Sequence, residues 1–153
     1  MSRVVLTYGS FDLFHVGHLN LLKRAKSLGD YLIVGVSTDA FTSGKGKTTI
    51  IGFKDRIEIV RSIRYVDEVI EESSWEQKSS DVRSFNVNTF VMGDDWKGRF
   101  DFLKDLCEVV YLPRTMGISS SSLKLVLNQF GGSQIQEMRK ALEIISAAIE
   151  PFQ

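Results

Sequence analysis

The chain has 153 residues, of which 43% are hydrophobic and 25% charged, a composition typical of one globular domain and not of a disordered chain. Nineteen basic residues balance nineteen acidic ones, so no overall field favours nucleic acid or an anionic membrane as a partner. Cys107 is the single cysteine, and no apolar run approaches the roughly 18 residues of a signal or membrane-spanning segment. We therefore expect a cytoplasmic protein without nucleic-acid binding or membrane insertion, in which any anion site is local.

The first third of the chain alternates strand and helix patterns. Residues 4–8 form a β-branched run, residues 18–28 carry apolar side chains at helical spacing, and residues 31–36 are continuously apolar. This order predicts a strand–helix–strand unit in a parallel sheet. Residues 39–52 show neither period and predict a long loop.

The alternation continues through most of the remaining chain. We predict helices over residues 53–64, 75–85 and 119–130, and strands over residues 68–70, 89–92 and 108–112. Strands that alternate with helices are typical of a layered α/β fold. The sequence therefore predicts a three-layer, Rossmann-like fold with a parallel sheet of about five strands.

A linker-like break at Gly131, Gly132 and Ser133 divides the chain into a domain of residues 1–130 and a tail of residues 131–153. Beyond it, apolar residues alternate at spacings of three and four, which predicts an extra C-terminal amphipathic helix. The apolar stripe consists of Ile135, Met138, Leu142, Ile145 and Ile149. Because this stripe must be covered, we expect contact with a second copy in a homodimer; docking on the chain's own domain is the alternative.

Two histidines follow the first predicted strand. Ligands of open parallel sheets bind at the carboxyl ends of strands, and His15 and His18 flank Gly17 there at the start of a helix. Helix N–H groups and the helix dipole attract anions, so we interpret the pair as part of a phosphate cradle. The chain has no third histidine for a zinc site. Surface or helix-capping histidines are the alternative.

Further charged groups are predicted at the same edge of the sheet. Arg114 precedes a serine cluster that opens a helix, where polyphosphate binding and plain N-capping are both possible readings. Lys45 and Lys47 lie on a glycine-flanked loop that departs from the P-loop pattern, because Phe41 occupies the glycine position. Asp95 follows another strand, where it would bind a ligand hydroxyl or Mg²⁺, or cap a turn.

Five segments carry a resemblance to a known family. They are Tyr-Gly-Ser-Phe-Asp-Leu-Phe-His-Val-Gly-His from Tyr8, Arg-Tyr-Val-Asp-Glu-Val from Arg64, Trp-Glu-Gln-Lys from Trp75, Val-Met-Gly-Asp-Asp-Trp from Val91 and Arg-Thr-Met-Gly-Ile-Ser-Ser from Arg114. Over residues 3–130 the chain resembles the glycerol-3-phosphate cytidylyltransferases, a branch of the nucleotidyltransferases that share the His-x-Gly-His signature. The resemblance implies the nucleotidyltransferase fold, a dimer, and CTP and a small phosphorylated alcohol as ligands.

The resemblance also implies roles for individual residues. His15, His18, Lys47 and Arg114 would be catalytic. The nucleotide would contact these four together with Gly9, Ser10, Phe11, Val16, Gly17, Asp95, Thr115, Gly117, Ile118, Ser119 and Ser120. The acceptor would be bound by Lys45 and Lys78, with support from Arg56, Arg64 and Asp67. Ser10 and Ser120 stand where the family often has threonine, and Met116 occupies a position that is commonly acidic.

The implied reaction joins CTP and sn-glycerol 3-phosphate into CDP-glycerol with release of pyrophosphate. The acceptor phosphate is itself a nucleophile, so direct in-line attack needs positioning and charge neutralisation without a covalent enzyme intermediate. Mg²⁺ would bridge the triphosphate oxygens. Two alternatives stay open: cytidylyl or adenylyl transfer to a different small phosphate, and a nucleotide-binding module without turnover.

Overall fold

The computed structural model describes residues 2–149. The chain divides into two compact units, with the boundary between Ile118 and Ser119. This boundary concerns compactness alone, so the functional domain limit at residue 130 stays a prediction. No helix within residues 2–149 is long and apolar enough to cross a membrane.

The first unit is built on a parallel sheet of five strands, which confirms the predicted fold class. The strand order is β3-β2-β1-β4-β5, so the chain moves outward in one direction from β1 to β3 and in the other from β4 to β5. Ligands of such sheets bind where this direction reverses, at the carboxyl ends of the central strands. The strands are β1 (Val4–Gly9), β2 (Tyr31–Ser37), β3 (Glu68–Glu72), β4 (Thr89–Gly93) and β5 (Glu108–Leu112).

Four helices connect the strands of the first unit. They are α1 (Val16–Lys26), α2 (Asp39–Gly44), α3 (Phe53–Arg61) and α4 (Gln77–Ser84), with short 3-10 turns at Asp94–Trp96 and Asp101–Leu103. The loop predicted over residues 39–52 was wrong in its first half, because α2 occupies it. Thr38 caps α2 by accepting a hydrogen bond from the N–H of Phe41 at 3.1 Å. A helix of six residues is too short for a helical period to be recognised.

Both faces of the sheet are covered, which gives the predicted three layers. On one face, Val34 and Val91 from the strands pack against Leu22 of α1 and Val60 of α3. On the other face, a second cluster joins strand residues to α4 and to the segment that follows β4; it contains Leu6, Ile33, Phe90, Val82, Phe100 and Leu103. Residues that alternate along a strand enter opposite clusters, as the pleat requires. A sheet buried on both faces leaves its strand ends as the place for polar ligands.

The second unit contains helices α5 (Ser120–Gln129) and α6 (Gly132–Ile149). The extra C-terminal helix is therefore present, but Gly132 and Ser133 belong to it, so the linker prediction was wrong at these two residues. The five residues of the apolar stripe are between 48% and 64% exposed.

Candidate active site

The two histidines form the N-terminal cap of α1. The backbone N–H of Gly17 donates to Nδ1 of His15 at 3.0 Å, and the backbone N–H of His15 donates to Nδ1 of His18 at 3.2 Å. The two rings stack with centroids 3.9 Å apart. Because each Nδ1 is an acceptor, each neutral ring carries its proton on Nε2. Capping thus fixes both rings in the tautomer that carries Nε2–H. The histidines therefore cap the helix, as the alternative interpretation held. Their Nε2–H groups point to a second use, because they can still donate to an anion.

The surroundings of both histidines favour the neutral form. Burial lowers the pKa of His18 to about 3, with a smaller lowering by His15 and an opposing effect of Asp12. Burial also lowers the pKa of His15, and the positive charge of Arg114 lowers it further. Both rings are therefore neutral hydrogen-bond donors at neutral pH. The effect of Arg114 on the pKa of His15 indicates that the two side chains lie near each other.

Glycine at position 17 is required by the stacked rings. A Cβ atom at Gly17 would lie 2.7 Å from Cε1 of His15 and 3.6 Å from a methyl carbon of Ile118. The first distance is shorter than any real carbon contact, so a side chain at this position would displace the imidazole. The predicted nucleotide residues Gly9, Ser10, Phe11, Val16 and Gly17 all lie on β1, its following loop or the start of α1.

The loop between β1 and α1 is strained. Phe11 and Leu13 have positive φ angles of 53° and 50°, a conformation that costs non-glycine residues about 1–3 kcal/mol each. This backbone holds the buried carboxylate of Asp12 against the lysine loop, where it accepts hydrogen bonds from the N–H groups of Ile50 and Ile51 at 2.8 and 2.9 Å. Asp12 therefore connects the loop between β1 and α1 to residues 45–51, the segment that carries Lys45 and Lys47.

Arg56 is fully buried and contacts the same two segments of the chain. Its guanidinium donates to the carbonyls of Ile51 and Ser10 at 2.8 and 2.5 Å, and to the carboxylate of Asp39 at 2.8 Å. Nε, Nη1 and Nη2 thus each bond to the protein itself. The prediction that Arg56 supports acceptor binding is corrected to an indirect role: it joins the first loop to the end of the lysine loop.

Lys45 and Lys78 meet at the carboxylate of Glu72, at the carboxyl end of β3. Nζ of Lys78 lies 2.5 Å from Oε2 of Glu72, and Nζ of Lys45 lies 3.6 Å from Oε1. Lys78 is only 1% exposed, whereas the side chain of Lys45 is 13% exposed. Lys78 is thus buried against a carboxylate, and the contact of both lysines with the acceptor stays a prediction.

Aromatic rings surround this ion cluster. Nζ of Lys45 lies 4.3 Å from the centroid of Phe41 and 5.5 Å from that of Trp75, distances typical of cation–π contacts. Trp75 is 44% exposed and packs edge-on against Phe41. Both rings line a cavity of about 420 Å³, together with Thr38, Ala40, Gly44 and Ser73. Trp75 is thus a wall of this cavity and not a core residue.

The segment after β5 is anchored to α1. Nδ2 of Asn20 donates to Oγ1 of Thr115 at 3.1 Å, and the guanidinium of Arg24 donates to the carbonyl of Pro113 at 2.9 Å. These bonds attach the residues on both sides of Arg114 to α1. Gly117 has a φ angle of 84°, which glycine adopts without strain, so it provides the turn before Ile118.

Lys47 and Asp95 lie at the same edge. Both side chains are exposed, and Nζ of Lys47 lies 5.9 Å from the ring centroid of Trp96. Asp95 lies in the 3-10 turn that follows β4, so it comes after that strand as predicted. Within residues 2–149 no three histidine, cysteine, aspartate or glutamate side chains are grouped to hold a metal ion. A metal that enters with a ligand's phosphates is compatible with this arrangement, because Mg²⁺ is usually bound through few carboxylates and substrate phosphates.

Two predicted residues of the first unit are not brought together with this group. Arg64 and Asp67 precede β3 and lie at the amino edge of the sheet, where Asp67 accepts from the N–H of Leu32 and pairs with Lys26 at 2.5 Å. Within one chain Arg64 and Asp67 therefore lie away from the other predicted site residues, and their supporting role toward the acceptor stays a prediction. Ser119 and Ser120 belong to the second unit, where Ser119 caps α5, so their nucleotide role stays a prediction.

Sequence reasoning missed the residues that hold the site together. Asp12 was quoted within the histidine motif without a role, and Glu72, Asp39 and Asn20 were not singled out. The rule that ligand sites lie at carboxyl strand ends applies to Glu72, which ends β3, and would have identified it. Asn20 gave no comparable signal, because its partner Thr115 is distant in sequence.

Comparison with known proteins agrees with this geometry. The chain matches the cytidylyltransferase-like family over residues 6–126. It is 59% identical over 122 residues to the glycerol-3-phosphate cytidylyltransferase of Bacillus subtilis, covering 80% of this chain and 95% of the relative. The Staphylococcus aureus glycerol-3-phosphate cytidylyltransferase is 55% identical over 124 residues, with coverages of 81% and 93%.

A solved structure supports the fold independently. The lipopolysaccharide core biosynthesis protein of Thermoplasma volcanium superposes with a TM-score of 0.65 at 24% identity, over 75% of this chain and 98% of that one. The five-stranded parallel sheet, the histidine cap at its carboxyl edge and the match over residues 6–126 lead to one assignment. The chain belongs to the cytidylyltransferase-like family.

Proposed function

We propose that this protein is an enzyme that transfers the cytidylyl group of CTP to sn-glycerol 3-phosphate. A phosphate oxygen of the acceptor attacks the α-phosphorus of CTP and forms the new P–O bond. The bond from the α-phosphorus to the bridging oxygen breaks, and its electron pair leaves with pyrophosphate. CDP-glycerol is the other product. The sequence identity of 59% and 55% to the glycerol-3-phosphate cytidylyltransferases of Bacillus subtilis and Staphylococcus aureus supports this choice of substrates.

The observation that carries the proposal is the pair of fixed Nε2–H donors at the start of α1. In-line transfer at phosphorus requires donors aimed at oxygens that gain charge in the transition state. His15 and His18 would donate to these oxygens as neutral rings, because capping occupies each Nδ1. Lys47 and Arg114 would stabilise the charge of the departing pyrophosphate. No group needs to remove a proton from the acceptor, since its phosphate is already anionic.

The acceptor would bind at the cavity bordered by Phe41 and Trp75. Lys45 lies against both rings and provides the ammonium group for the acceptor phosphate. The opening between α2 and the segment after β3 leaves about 420 Å³, enough for a small phosphorylated alcohol. Mg²⁺ would arrive with CTP as its complex with the triphosphate, and Asp95 would be an exposed carboxylate at this edge that faces it.

Two other functions compete with the proposal. A phosphate cradle distinguishes bases poorly, so an adenylyl transferase or a different acceptor would use the same histidines and lysines. A nucleotide-binding module without turnover would need the donors but not the acceptor cavity. The cavity beside Lys45 therefore favours transfer over simple binding.

The deciding experiment measures pyrophosphate release for every pair of a nucleotide and an acceptor. CTP, UTP, GTP and ATP would be combined with glycerol 3-phosphate, phosphoethanolamine, a sugar phosphate and flavin mononucleotide. We expect CTP with glycerol 3-phosphate to give the highest kcat/KM, and CDP-glycerol to be found by mass spectrometry. A preference for another pair would overturn the substrate assignment. Absence of release with all pairs would overturn the enzymatic function, with the His18→Ala variant defining the background.

We also propose that the enzyme is a homodimer in the cytoplasm. The exposed stripe on α6 needs a cover, and the helix carries two acidic residues, Glu137 and Glu143, against two basic ones, Arg139 and Lys140. Balanced charges allow two copies of the helix to approach without net repulsion. The cytoplasm is where CTP is available, and the unpaired thiol of Cys107 suits a reducing compartment.

A further inference from the structure

One side of α1 faces the segment of residues 113–118, which follows β5. The guanidinium of Arg24 donates to the carbonyl of Pro113 at 2.9 Å, and one turn earlier Nδ2 of Asn20 donates to Oγ1 of Thr115 at 3.1 Å. Because Asn20 and Arg24 are four residues apart in a helix, they lie on the same side of it. The segment therefore runs towards the N-terminus of α1 as the chain proceeds.

A third approach continues this path to the histidine cap. A Cβ atom at Gly17, three residues before Asn20, would lie 3.6 Å from a methyl carbon of Ile118. Positions 24, 20 and 17 of the helix thus meet residues 113, 115 and 118 in turn. An α-helix rises about 1.5 Å per residue, so this path covers about 10 Å. It ends at Gly17, whose N–H donates to the ring of His15.

Arg114 lies between the two bonded residues of this segment. Pro113, Arg114, Met116 and Gly117 are exposed, so packing alone constrains the segment little. An exposed arginine also has many rotamers, and this freedom is lost when a ligand orders it. Bonds on both sides of Arg114 fix the point from which its guanidinium reaches a ligand. The arginine lies near the cap, since its charge lowers the pKa of His15.

We propose that Asn20 and Arg24 are positioning residues, which hold the backbone on either side of Arg114 so that its guanidinium and the histidine donors meet one polyphosphate. The inference rests on the proposed function for the nucleotide as the source of that polyphosphate. Helix α1 then has two uses: its N-terminal cap carries the imidazoles, and its side aligns the arginine. Neither Asn20 nor Arg24 needs to touch the ligand.

A double-mutant cycle with inorganic pyrophosphate tests whether Asn20 acts through Arg114. Binding is measured by calorimetry, without nucleotide, for the wild type, Asn20→Ala, Arg114→Ala and the double variant. We expect Asn20→Ala to weaken binding about three- to tenfold, but less than about twofold when Arg114 is already alanine. Alanine favours a helix, so Asn20→Ala should fold, which its thermal midpoint checks. Unchanged binding by Asn20→Ala, or equal losses in both backgrounds, would overturn the proposal.

The test of Arg24 needs a control for charge. Arg24→Gln removes the bond to the carbonyl of Pro113 together with one positive charge, whereas Lys23→Gln removes the same charge from the neighbouring exposed position. We expect Arg24→Gln to weaken pyrophosphate binding about three- to tenfold, and Lys23→Gln to stay within about twofold of the wild type. No weakening by Arg24→Gln, or equal weakening by the two variants, would overturn the role of Arg24.

Turnover gives a readout that lower stability alone would not change. Well below its thermal midpoint, Asn20→Ala should raise the CTP KM about three- to tenfold and leave the acceptor KM within about twofold of the wild type. Equal rises of both KM values would overturn the proposal, as would a wild type that does not bind pyrophosphate. Coupled losses of pyrophosphate binding, together with no pyrophosphate release from any substrate pair, would contradict the proposed function but support this inference.

Discussion

The backbone N–H of His15 donates to Nδ1 of His18 at 3.2 Å, so the first histidine of the motif orients the ring of the second. The N–H of Gly17 fixes His15 in the same way. Helix capping and ligand donation therefore use different nitrogens of the same rings. Both functions depend on the neutral imidazole, because protonation of Nδ1 would remove the acceptor that caps α1.

Our first prediction concerns the protonation of the two rings, which are the only histidines in the chain. Burial lowers the pKa of His18 to about 3, so its resonances should show no titration near the ordinary value of 6.5. His15 should titrate below that value, because burial and Arg114 lower its pKa. Nitrogen-detected NMR should find protonated Nε2 and unprotonated Nδ1 in both rings. Titration of His18 near its ordinary pKa would contradict the capping geometry.

A dependence of stability on pH follows from the same shift. The unfolded chain binds a proton on His18 near pH 6.5, whereas the folded chain resists protonation until about pH 3. Acidification between these values therefore favours the unfolded state, and stability present above pH 6.5 is lost as the pH falls. Thermal midpoints should decline less steeply with acid in His18→Asn, which keeps an acceptor for the cap but cannot be protonated. Equal slopes for the two proteins would exclude this contribution.

The second prediction separates donation from capping by mutation. His18→Ala should lower kcat/KM by about 10²–10³, as for loss of one oxyanion donor, while the protein still folds. His15→Asn keeps a good capping acceptor but removes the Nε2–H donor, so it should lose activity with a thermal midpoint close to that of the wild type. Near wild-type turnover in either variant would remove that histidine from the catalytic set.

The third prediction assigns the two loop lysines to different substrates. Lys45 lies against Phe41, whose ring lines the cavity, whereas Lys47 is exposed and near Trp96. Lys45→Ala should therefore raise the acceptor KM more than the CTP KM, and Lys47→Ala should mainly impair the use of CTP. The check is a full kinetic matrix for both variants with both substrates varied. Equal effects of the two changes on both substrates would show that the lysines only order the loop.

The fourth prediction concerns Asp12, which joins the two loops through the N–H groups of Ile50 and Ile51. Asp12→Asn keeps one acceptor oxygen and places an amide against the second N–H, so it should cost about 1–3 kcal/mol of stability. The lysine loop would be less ordered, and the KM values for both substrates should rise together. Asp105→Asn, at an exposed position, is the matched control. A rise in only one KM would contradict the anchoring role.

The predicted architecture was accurate where periodicity was strong. The five strands and the helix at the histidines follow directly from apolar runs and helical spacing, and the carboxyl-edge rule placed His15 and Arg114 on the correct side. Applied to Arg64 and Asp67, the same rule puts them at the opposite, amino edge of the sheet, because they precede β3. Their assignment came from resemblance, which names residues without saying which edge of the sheet they occupy.

The roles of buried charges were beyond a reading of the sequence. Lysine and arginine are expected at the surface, yet Lys78 and Arg56 are buried because Glu72 and Asp39 supply their counter-charges. These partners are six and seventeen residues away along the chain. Neither spacing corresponds to a recognised motif, so only the fold reveals that these two cations are buried against counter-charges.

The last prediction concerns α6, which begins at Gly132 and lies beyond the family match that ends at residue 126. Its stripe exposes five large apolar side chains by 48% to 64%. Full burial stabilises each such side chain by about 1.5–3 kcal/mol, more in total than an isolated helix gains from propensity. If a second copy of the chain covers the stripe, removal of residues 131–153 should shift the protein from dimer to monomer in sedimentation equilibrium and lower its thermal midpoint.

Met138→Glu/Leu142→Glu should act in the same way, whereas Arg139→Gln/Lys140→Gln makes an equal change of net charge off the stripe and should leave the dimer intact. A lower midpoint with unchanged mass would favour docking within one chain. Unchanged mass and unchanged midpoint together would rule out both covers, because a helix that buries this stripe anywhere must contribute to one of the two measurements.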